Sequence, residues 1–163
     1  MSRLPVIGFL ALVAATVAAF FIVQHLKVSL PLISGVTPPS PPEINPISGR
    51  SCVDPIGRKQ IGPASHISFY LLHASDRVDV YIVDQTGTRT IATLARGRFM
   101  KASLFPHEVP TFFTWNGRRQ TGSIAPDGTY YFDVHLIHQD RTLTISDNSG
   151  PLPVRVDTQV HCP

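Results

Sequence analysis

Residues 113–136 read FTWNGRRQTGSIAPDGTYYFDVHL, and this stretch holds the most regular pattern in the chain. An aromatic segment ends at Trp115 and runs through an Asn-Gly pair into a polar loop. The chain then returns through Pro-Asp-Gly to a long alternating segment that includes Tyr130. Asn-Gly and Asp-Gly pairs tolerate the backbone angles of tight turns. The stretch therefore predicts two β-strands joined by a structured loop, with Trp115 and Tyr130 facing the core.

The same two-residue alternation recurs along the rest of the chain. In HISFYLLH (residues 66–73) and VDVYIVD (residues 78–84), apolar side chains occupy every second position, as in half-buried strands. Turn signals separate further segments of this kind. Residues 43–163 are therefore predicted to form an all-β, antiparallel sandwich of about seven to eight strands. The segment from Arg96 to His107 is predicted to be a loop or an edge strand.

The stretch at residues 113–136 also resembles a known family. It is similar to the Ig-like domain of the flagellar hook-capping protein and of many exported bacterial proteins, and the resemblance covers residues 65–137. The residues that carry the fold motif are Trp115, Asn116, Gly117, Asp127, Gly128 and Tyr130. The resemblance implies an Ig-like fold, with Tyr130 as a tyrosine corner whose hydroxyl bonds to nearby backbone.

The N-terminal segment has the features of a membrane-targeting sequence. Leu4 to Val23 contains no charged residue, and 20 residues of helix span about 30 Å, the thickness of a bilayer's hydrocarbon core. Residues 1–27 are predicted to be an uncleaved signal anchor that spans the membrane, with the N-terminus cytoplasmic and the domain extracytoplasmic. The small residues at 14–19 leave a cleaved signal peptide as the alternative.

A Pro-rich segment follows the predicted anchor. Four prolines lie within residues 38–42, and such clusters favour an extended polyproline conformation. Residues 28–42 are therefore predicted to be a semi-rigid stalk between membrane and domain. Docking of the prolines on an aromatic groove is the alternative.

The chain has two cysteines, Cys52 and Cys162, one near each end of the predicted domain. An even pair that flanks a domain on an exported segment predicts one disulfide bond between them. Two unrelated thiols are the alternative.

Composition and motifs exclude several functions. After Lys27 the chain has 12 basic residues against 11 acidic ones, which gives no reason to expect nucleic-acid binding. The sequence lacks GxSxG, CxxC, HxxxH and HExxH, and His135 and His138 would point to opposite faces of a strand. We therefore predict no catalytic residue, no metal site and no cofactor.

Two basic groups are the candidate partner contacts, with solvated surface charge as the alternative. These five residues are Arg96, Arg98, Lys101, Arg118 and Arg119. The sequence thus predicts a membrane-anchored extracytoplasmic Ig-like module with a structural, adhesion or assembly role in the bacterial cell envelope, bound to an envelope protein. The alternative is a receptor for a glycan or another polymer through Tyr70, Tyr81 and Tyr131. An enzyme is the most distant alternative.

Overall fold

The computed structural model describes residues 4–29, 31–53, 59–103 and 110–160, with helix side chains described over residues 8–23. The chain divides into two compact units, Met1–Leu32 and Ile33–Pro163. The described part of the chain is mostly β-sheet and contains one helix. The all-β character predicted from the two-residue alternation is therefore confirmed.

The N-terminal unit holds helix α1, Leu4–Ser29. Side chains along residues 8–23 are exposed, including the aromatic rings of Phe9 and Phe21. Within the described residues, no helix is both long enough and apolar enough to cross a membrane. The predicted helix is present, whereas the predicted transmembrane span is not supported.

The second unit contains the strands. They are β1 Ile33–Ser40, β2 Glu43–Ile44, β3 Cys52–Val53, β4 Gln60–Gly62, β5 Ser65–Leu71, β6 Asp76–Asp84, β7 Thr90–Met100, β8 Thr111–Trp115, β9 Gly128–Leu136, β10 Arg141–Thr144, β11 Ser146–Asp147, β12 Gly150–Pro151 and β13 Val154–Val156. One sheet has the order β1-β5-β8. The larger sheet has the order β3-β4-β2-β13-β9-β6-β7, with β10 also paired to β9, and β11 and β12 form a small ribbon.

Strand β1 corrects the predicted stalk over residues 28–42. It pairs antiparallel with β5, with Ile33 opposite Leu71 and Ser40 opposite His66. A hydrogen bond of 2.8 Å joins the Thr37 and Ser68 hydroxyls across this pair. Prolines are tolerated because β1 is an edge strand, where backbone groups on one side need no strand partner. The β unit therefore begins at residue 33, not at residue 43.

The core lies between the inward faces of the two sheets. The alternating side chains predicted to face inward in β5, β6 and β9 are buried. Trp115 from β8 meets Tyr130 from β9 edge to face, with 5.0 Å between ring centroids, and so links the two sheets. Trp115 is 1% exposed. Burying a large apolar side chain contributes about 1.5 to 3 kcal/mol, so these inward rows dominate stability.

Strand β7 resolves the ambiguous segment after residue 96. The strand continues through Met100, so Arg96 and Arg98 lie in an edge strand at the end of the larger sheet. The chain then crosses to the other sheet, where the Ser103 N–H donates to the Leu71 carbonyl at 2.9 Å. The predicted segment ended at His107, which lies outside the described residues.

Candidate functional site

A bulge interrupts the pairing of β6 and β7. Val78 pairs with Arg98 and Val80 pairs with Ala95, so Arg96 and Gly97 together lie opposite Asp79. The Gly97 N–H donates to the Asp79 carboxylate at 2.6 Å. Gly97 has a φ of +56°, which a glycine adopts without strain. The bulge leaves the Gly97 N–H without a backbone acceptor on β6, and the Asp79 carboxylate accepts its hydrogen bond instead.

The bulge fixes a charged cluster on the outer face of the larger sheet. The Tyr81 hydroxyl donates to Asp79 at 2.7 Å, and an Arg77 Nη donates to the Gly97 carbonyl at 3.1 Å. The hydrogen bond from the Gly97 N–H, followed by that from Tyr81, lowers the pKa of Asp79 below its ordinary value, and Arg96 adds to the shift. Asp79 is therefore an ionised structural carboxylate that holds the bulge.

The other basic residues of β7 lie around this bulge. The Arg98 guanidinium lies 5.2 Å from the centroid of the Phe113 ring, a cation–π contact across the open edge of the core. Phe113 in turn stacks on Phe69. Arg96 and Lys101 are exposed. Phe99, between the basic residues, is 64% exposed.

The loop that contains Arg118 and Arg119 packs against the beginning of the same strand. The Gln120 N–H donates to the Ile91 carbonyl at 3.0 Å, and the Thr93 N–H donates to the Gln120 side-chain oxygen at 2.9 Å. All five predicted basic contacts therefore lie along β7 or just beyond it. We call this set the basic rim; its members are Arg96, Arg98, Lys101, Arg118 and Arg119.

Hydrogen bonds hold the loop in one conformation. The Trp115 indole N–H donates to the Arg118 carbonyl at 2.8 Å, and an Arg118 Nη donates to the Gly122 carbonyl at 2.9 Å. Backbone bonds join Arg119 to Ser123 and Ala125 to Gly117. Gly117 has a φ of +72°, the conformation that the Asn-Gly pair predicts. The loop is thus a fixed element of the fold.

A cavity of about 250 Å³ lies between this loop and β7. Its lining includes Thr93 from the strand, Trp115, and Asn116, Arg119 and Gln120 from the loop. The Arg119 Nε is buried and has no hydrogen-bond partner among the described residues. A buried donor without a partner costs about 1 to 3 kcal/mol, so this atom marks an unsatisfied position beside the cavity.

The remaining fold-motif residues have architectural contacts. The Tyr130 hydroxyl donates to the Pro126 carbonyl at 2.7 Å, the geometry of a tyrosine corner. Burial raises the pKa of Tyr130 above its ordinary value. The Asp127 carboxylate accepts from the Thr158 N–H at 2.9 Å and from its hydroxyl at 3.0 Å. Gly128 opens strand β9. These residues connect the loop to the core and to the C-terminal segment.

The three candidate tyrosines do not form one row. Tyr70 lies in β5 of the smaller sheet, whereas Tyr81 and Tyr131 lie in β6 and β9 of the larger sheet. Tyr131 lines a separate cavity of about 400 Å³ together with Lys59 and Arg155. A continuous aromatic platform, as the glycan alternative requires, is not formed by these three side chains.

The histidines and cysteines are the remaining side chains that could bind a metal ion or act as nucleophiles. Among the described residues, no group of three or more His, Cys, Asp or Glu side chains could hold a metal ion. His138 instead contacts Asp76 at 2.7 Å, and His135 contacts Thr142 at 3.1 Å. Cys52 is disulfide-bonded. Its predicted partner, Cys162, lies outside the described residues, so the pairing stays a prediction.

The sequence places Phe99 among the charges of the segment at residues 96–101, but it does not show which way the Phe99 side chain faces. The bulge at Gly97 shifts the alternation of the strand by one residue. As a result Phe99 pairs with the exposed Arg77, on the outer face, while Arg98 turns to the core edge. The glycine between the two arginines was the available signal.

The chain matches no protein-family model and no curated protein sequence. The resemblance of residues 65–137 to Ig-like domains of the hook-capping type therefore stays a prediction.

Proposed function

We propose that this chain is a non-enzymatic structural, adhesion or assembly module of the bacterial cell envelope, acting outside the cytoplasmic membrane. In this proposal the β unit is an Ig-like sandwich, and its basic rim docks an acidic segment of an envelope protein. Attachment to the membrane through residues 1–27 is proposed from the sequence alone. The disulfide at Cys52 supports an oxidising compartment, because such bonds are rare in the cytosol.

The basic rim is the observation that carries this proposal. From Thr93 to Lys101 the strand extends over roughly 25 Å at about 3.3 Å per residue. Arg96, Arg98 and Lys101 lie along the second half of this line, and the loop that holds Arg118 and Arg119 packs against the beginning of the strand. The Asp79 carboxylate beside Arg96 is already engaged by the Gly97 amide. A row of cations favours a partner of opposite charge, which it attracts and orients during encounter.

The exposed Phe99 adds an apolar anchor beside the charges. Aromatic and arginine side chains are enriched among the residues that contribute most to protein–protein binding. Phe99 and the arginines of the basic rim together supply both kinds of residue, and β7 is an edge strand along which an extended segment can lie. We therefore favour an acidic protein segment over a polysaccharide as the partner.

The test is site-specific photo-crosslinking in cells that express the chain naturally. Benzoylphenylalanine at position 99 is expected to yield an adduct with a protein partner. The same residue at Val53 is the control, because Val53 is also exposed, at 55%, but lies in β3 at the opposite edge of the larger sheet. Arg96→Glu with Lys101→Glu is expected to remove the adduct at position 99, whereas Arg96→Lys with Lys101→Arg should retain it.

Two outcomes would overturn the proposal. One is an identical adduct from positions 99 and 53, and the other is an adduct that charge reversal leaves unchanged. An adduct whose added mass is removed by glycosidases would favour the polymer-binding alternative. The observation behind that alternative is the separate cavity in which Tyr131 lies beside Lys59 and Arg155.

A further inference from the structure

We infer that the cavity between the 116–122 loop and β7 is a binding site for one carboxylate group of an acidic protein segment, with Arg119 as its principal contact. This inference deepens the proposed function and rests on it for the identity of the partner. The binding chemistry of the cavity can be tested by itself.

The first observation is the state of the Arg119 side chain. Arg119 lines the cavity, and its Nε is buried without a hydrogen-bond partner among the described residues. The neighbouring Arg118 differs, because one of its Nη atoms donates to the Gly122 carbonyl. Of the two adjacent arginines, Arg118 therefore has a structural bond, whereas the Arg119 Nε has none among the described residues.

The second observation is the kind of polar group that the cavity presents. The Asn116 side-chain oxygen accepts from the Arg118 N–H at 3.3 Å, and the Gln120 side-chain oxygen accepts from the Thr93 N–H at 2.9 Å. Both amide oxygens are thus used by the backbone. The two amide NH2 groups make no hydrogen bond to the described residues and remain as donors. Amide NH2 groups and a guanidinium are donors of the kind from which an anion accepts hydrogen bonds.

The third observation is the rigidity of the walls. The loop is bonded to the Trp115 indole and to the Ser123 carbonyl, and the Ala125 N–H donates to the Gly117 carbonyl at its base. Gln120 fixes the loop to β7. Because these bonds are all made by the chain itself, binding does not have to order the loop, which reduces the entropic cost of binding.

The shape of the group favours a carboxylate. A guanidinium presents a planar fork of N–H donors that matches a planar carboxylate with two parallel hydrogen bonds. The cavity of about 250 Å³ has room for the end of an aspartate or glutamate side chain. Residues Arg96, Arg98 and Lys101 would then meet further acidic groups along the same segment.

The experiment is NMR of the full-length chain in a neutral detergent, with the Trp115 indole and the Arg119 Nε–H as reporters. Trp115 is the only tryptophan, and its indole bonds to the Arg118 carbonyl, so it gives one signal at the base of the loop. The probes are a short peptide with one central glutamate, the same peptide with glutamine, and inorganic phosphate. The glutamate peptide is expected to shift both signals, and the glutamine peptide is not.

The matched variants separate the site from a general effect of charge. Arg119→Lys keeps the charge but loses the fork, and we expect it to weaken binding at least tenfold, about 1.4 kcal/mol. Arg155→Lys, in β13, should leave binding unchanged. Gln120→Glu keeps the oxygen that accepts from Thr93 but adds a negative charge to the cavity, and should also weaken binding. An unshifted Trp115 indole in the free variants would show that the loop is intact.

Each result decides something. Equal shifts with the glutamate and glutamine peptides, unchanged binding by Arg119→Lys, or shifts with phosphate alone would overturn the carboxylate site. If this site fails while the adduct at position 99 persists, the rim docks its partner without the cavity. If the site binds carboxylate but no adduct forms, the cavity stands and the proposed docking along β7 is wrong.

Discussion

At the scale of single residues, Asp76 is a buried carboxylate with four hydrogen bonds. Its side chain is fully buried at the beginning of β6. It accepts from the Arg77 and His138 backbone N–H groups at 2.6 and 2.9 Å, and it contacts the His138 ring at 2.7 Å. Gln139 donates a further bond at 3.3 Å. One carboxylate thus anchors the turn between β9 and β10.

These bonds make the anchor sensitive to pH. Burial acts to raise the pKa of Asp76, but the hydrogen bonds from His138 and Arg77 outweigh it and lower the pKa below its ordinary value. A carboxyl with a lowered folded-state pKa stabilises the fold above its unfolded-state pKa of about 3.9. That contribution is lost as the pH falls through the folded-state pKa.

We expect Asp76→Asn to lower the free energy of unfolding by about 2 to 3 kcal/mol at pH 7, because buried N–H donors lose a charged acceptor. Well above about pH 4 the Asp76 carboxyl is ionised in both the folded and the unfolded chain, so the full difference from the wild type should be present there. It should narrow as the pH falls below about 4. Urea unfolding at a series of pH values measures this.

The control for this prediction is Asp133→Asn. Asp133 is half-buried and accepts one side-chain bond, from the Thr144 hydroxyl at 2.7 Å. Its loss should cost about 1 kcal/mol or less. Equal losses from the two variants, or a difference for Asp76 that does not narrow in acid, would contradict the role given to Asp76.

The sequence predicts which side chains face inward where this follows from two-residue alternation within a strand. It does not predict hydrogen bonds between residues that are far apart in the chain. The inward positions in β5, β6 and β9 follow from two-residue alternation. Asp76, by contrast, finds its partner 62 residues away, and Asp127 finds its partner 31 residues away. In the candidate site the arginines were visible, but Gln120 and the cavity depend on the approach of the loop to β7.

At the scale of elements, β1 is a strand that its own sequence did not identify, because its pairing depends on contacts with β5. Its prolines favour an extended chain whether that chain is free or paired, so the sequence did not distinguish a stalk from an edge strand. The deciding contacts come from β5. Gly35 has a φ of +58°, and a methyl group at this position would overlap the Tyr70 ring.

This contact gives a test of β1. We expect Gly35→Ala to destabilise the β unit by about 2 to 4 kcal/mol, from backbone strain together with the overlap. A free stalk would show almost no change. Thermal unfolding followed by circular dichroism measures the effect, and amide exchange should show faster exchange in β1.

Gly49→Ala is the matched control, because Gly49 has a similar φ of +62° and no atom within 4 Å of an added methyl group. It should cost about 1 to 2 kcal/mol from strain alone. Tyr70→Ala in the Gly35→Ala background should recover the part due to overlap. If Gly35→Ala costs no more than Gly49→Ala, the Tyr70 contact does not hold β1.

At the scale of the whole molecule, the predicted Cys52–Cys162 bond closes the β unit. A loop of about 110 residues would contribute up to about 4 to 5 kcal/mol in the chain-entropy model. We expect mass spectrometry of chain isolated from cells without reduction to find the Cys52 and Cys162 peptides joined. Reduction should then lower the melting temperature by several degrees.

Cys52→Ser with Cys162→Ser is the control for the reductant, because its melting temperature should not respond to reduction. Free, alkylated thiols at both positions in the isolated chain would contradict the prediction. Such a result would also remove the main support for an extracytoplasmic placement.

The position of β13 has a consequence for how the protein is made. β13 joins β2 to β9, and it is the link between the strands β3, β4 and β2 and the strands β9, β6 and β7. The Asn45 side chain reinforces this link by donating to the Val160 carbonyl at 2.6 Å. Strand pairings between residues so distant in sequence form slowly, because the chain loses the entropy of closing a long loop before the new contacts stabilise it. A nascent chain that has not yet delivered residue 154 therefore holds two unconnected halves of its larger sheet, and needs protection from proteolysis and aggregation until the last strand arrives.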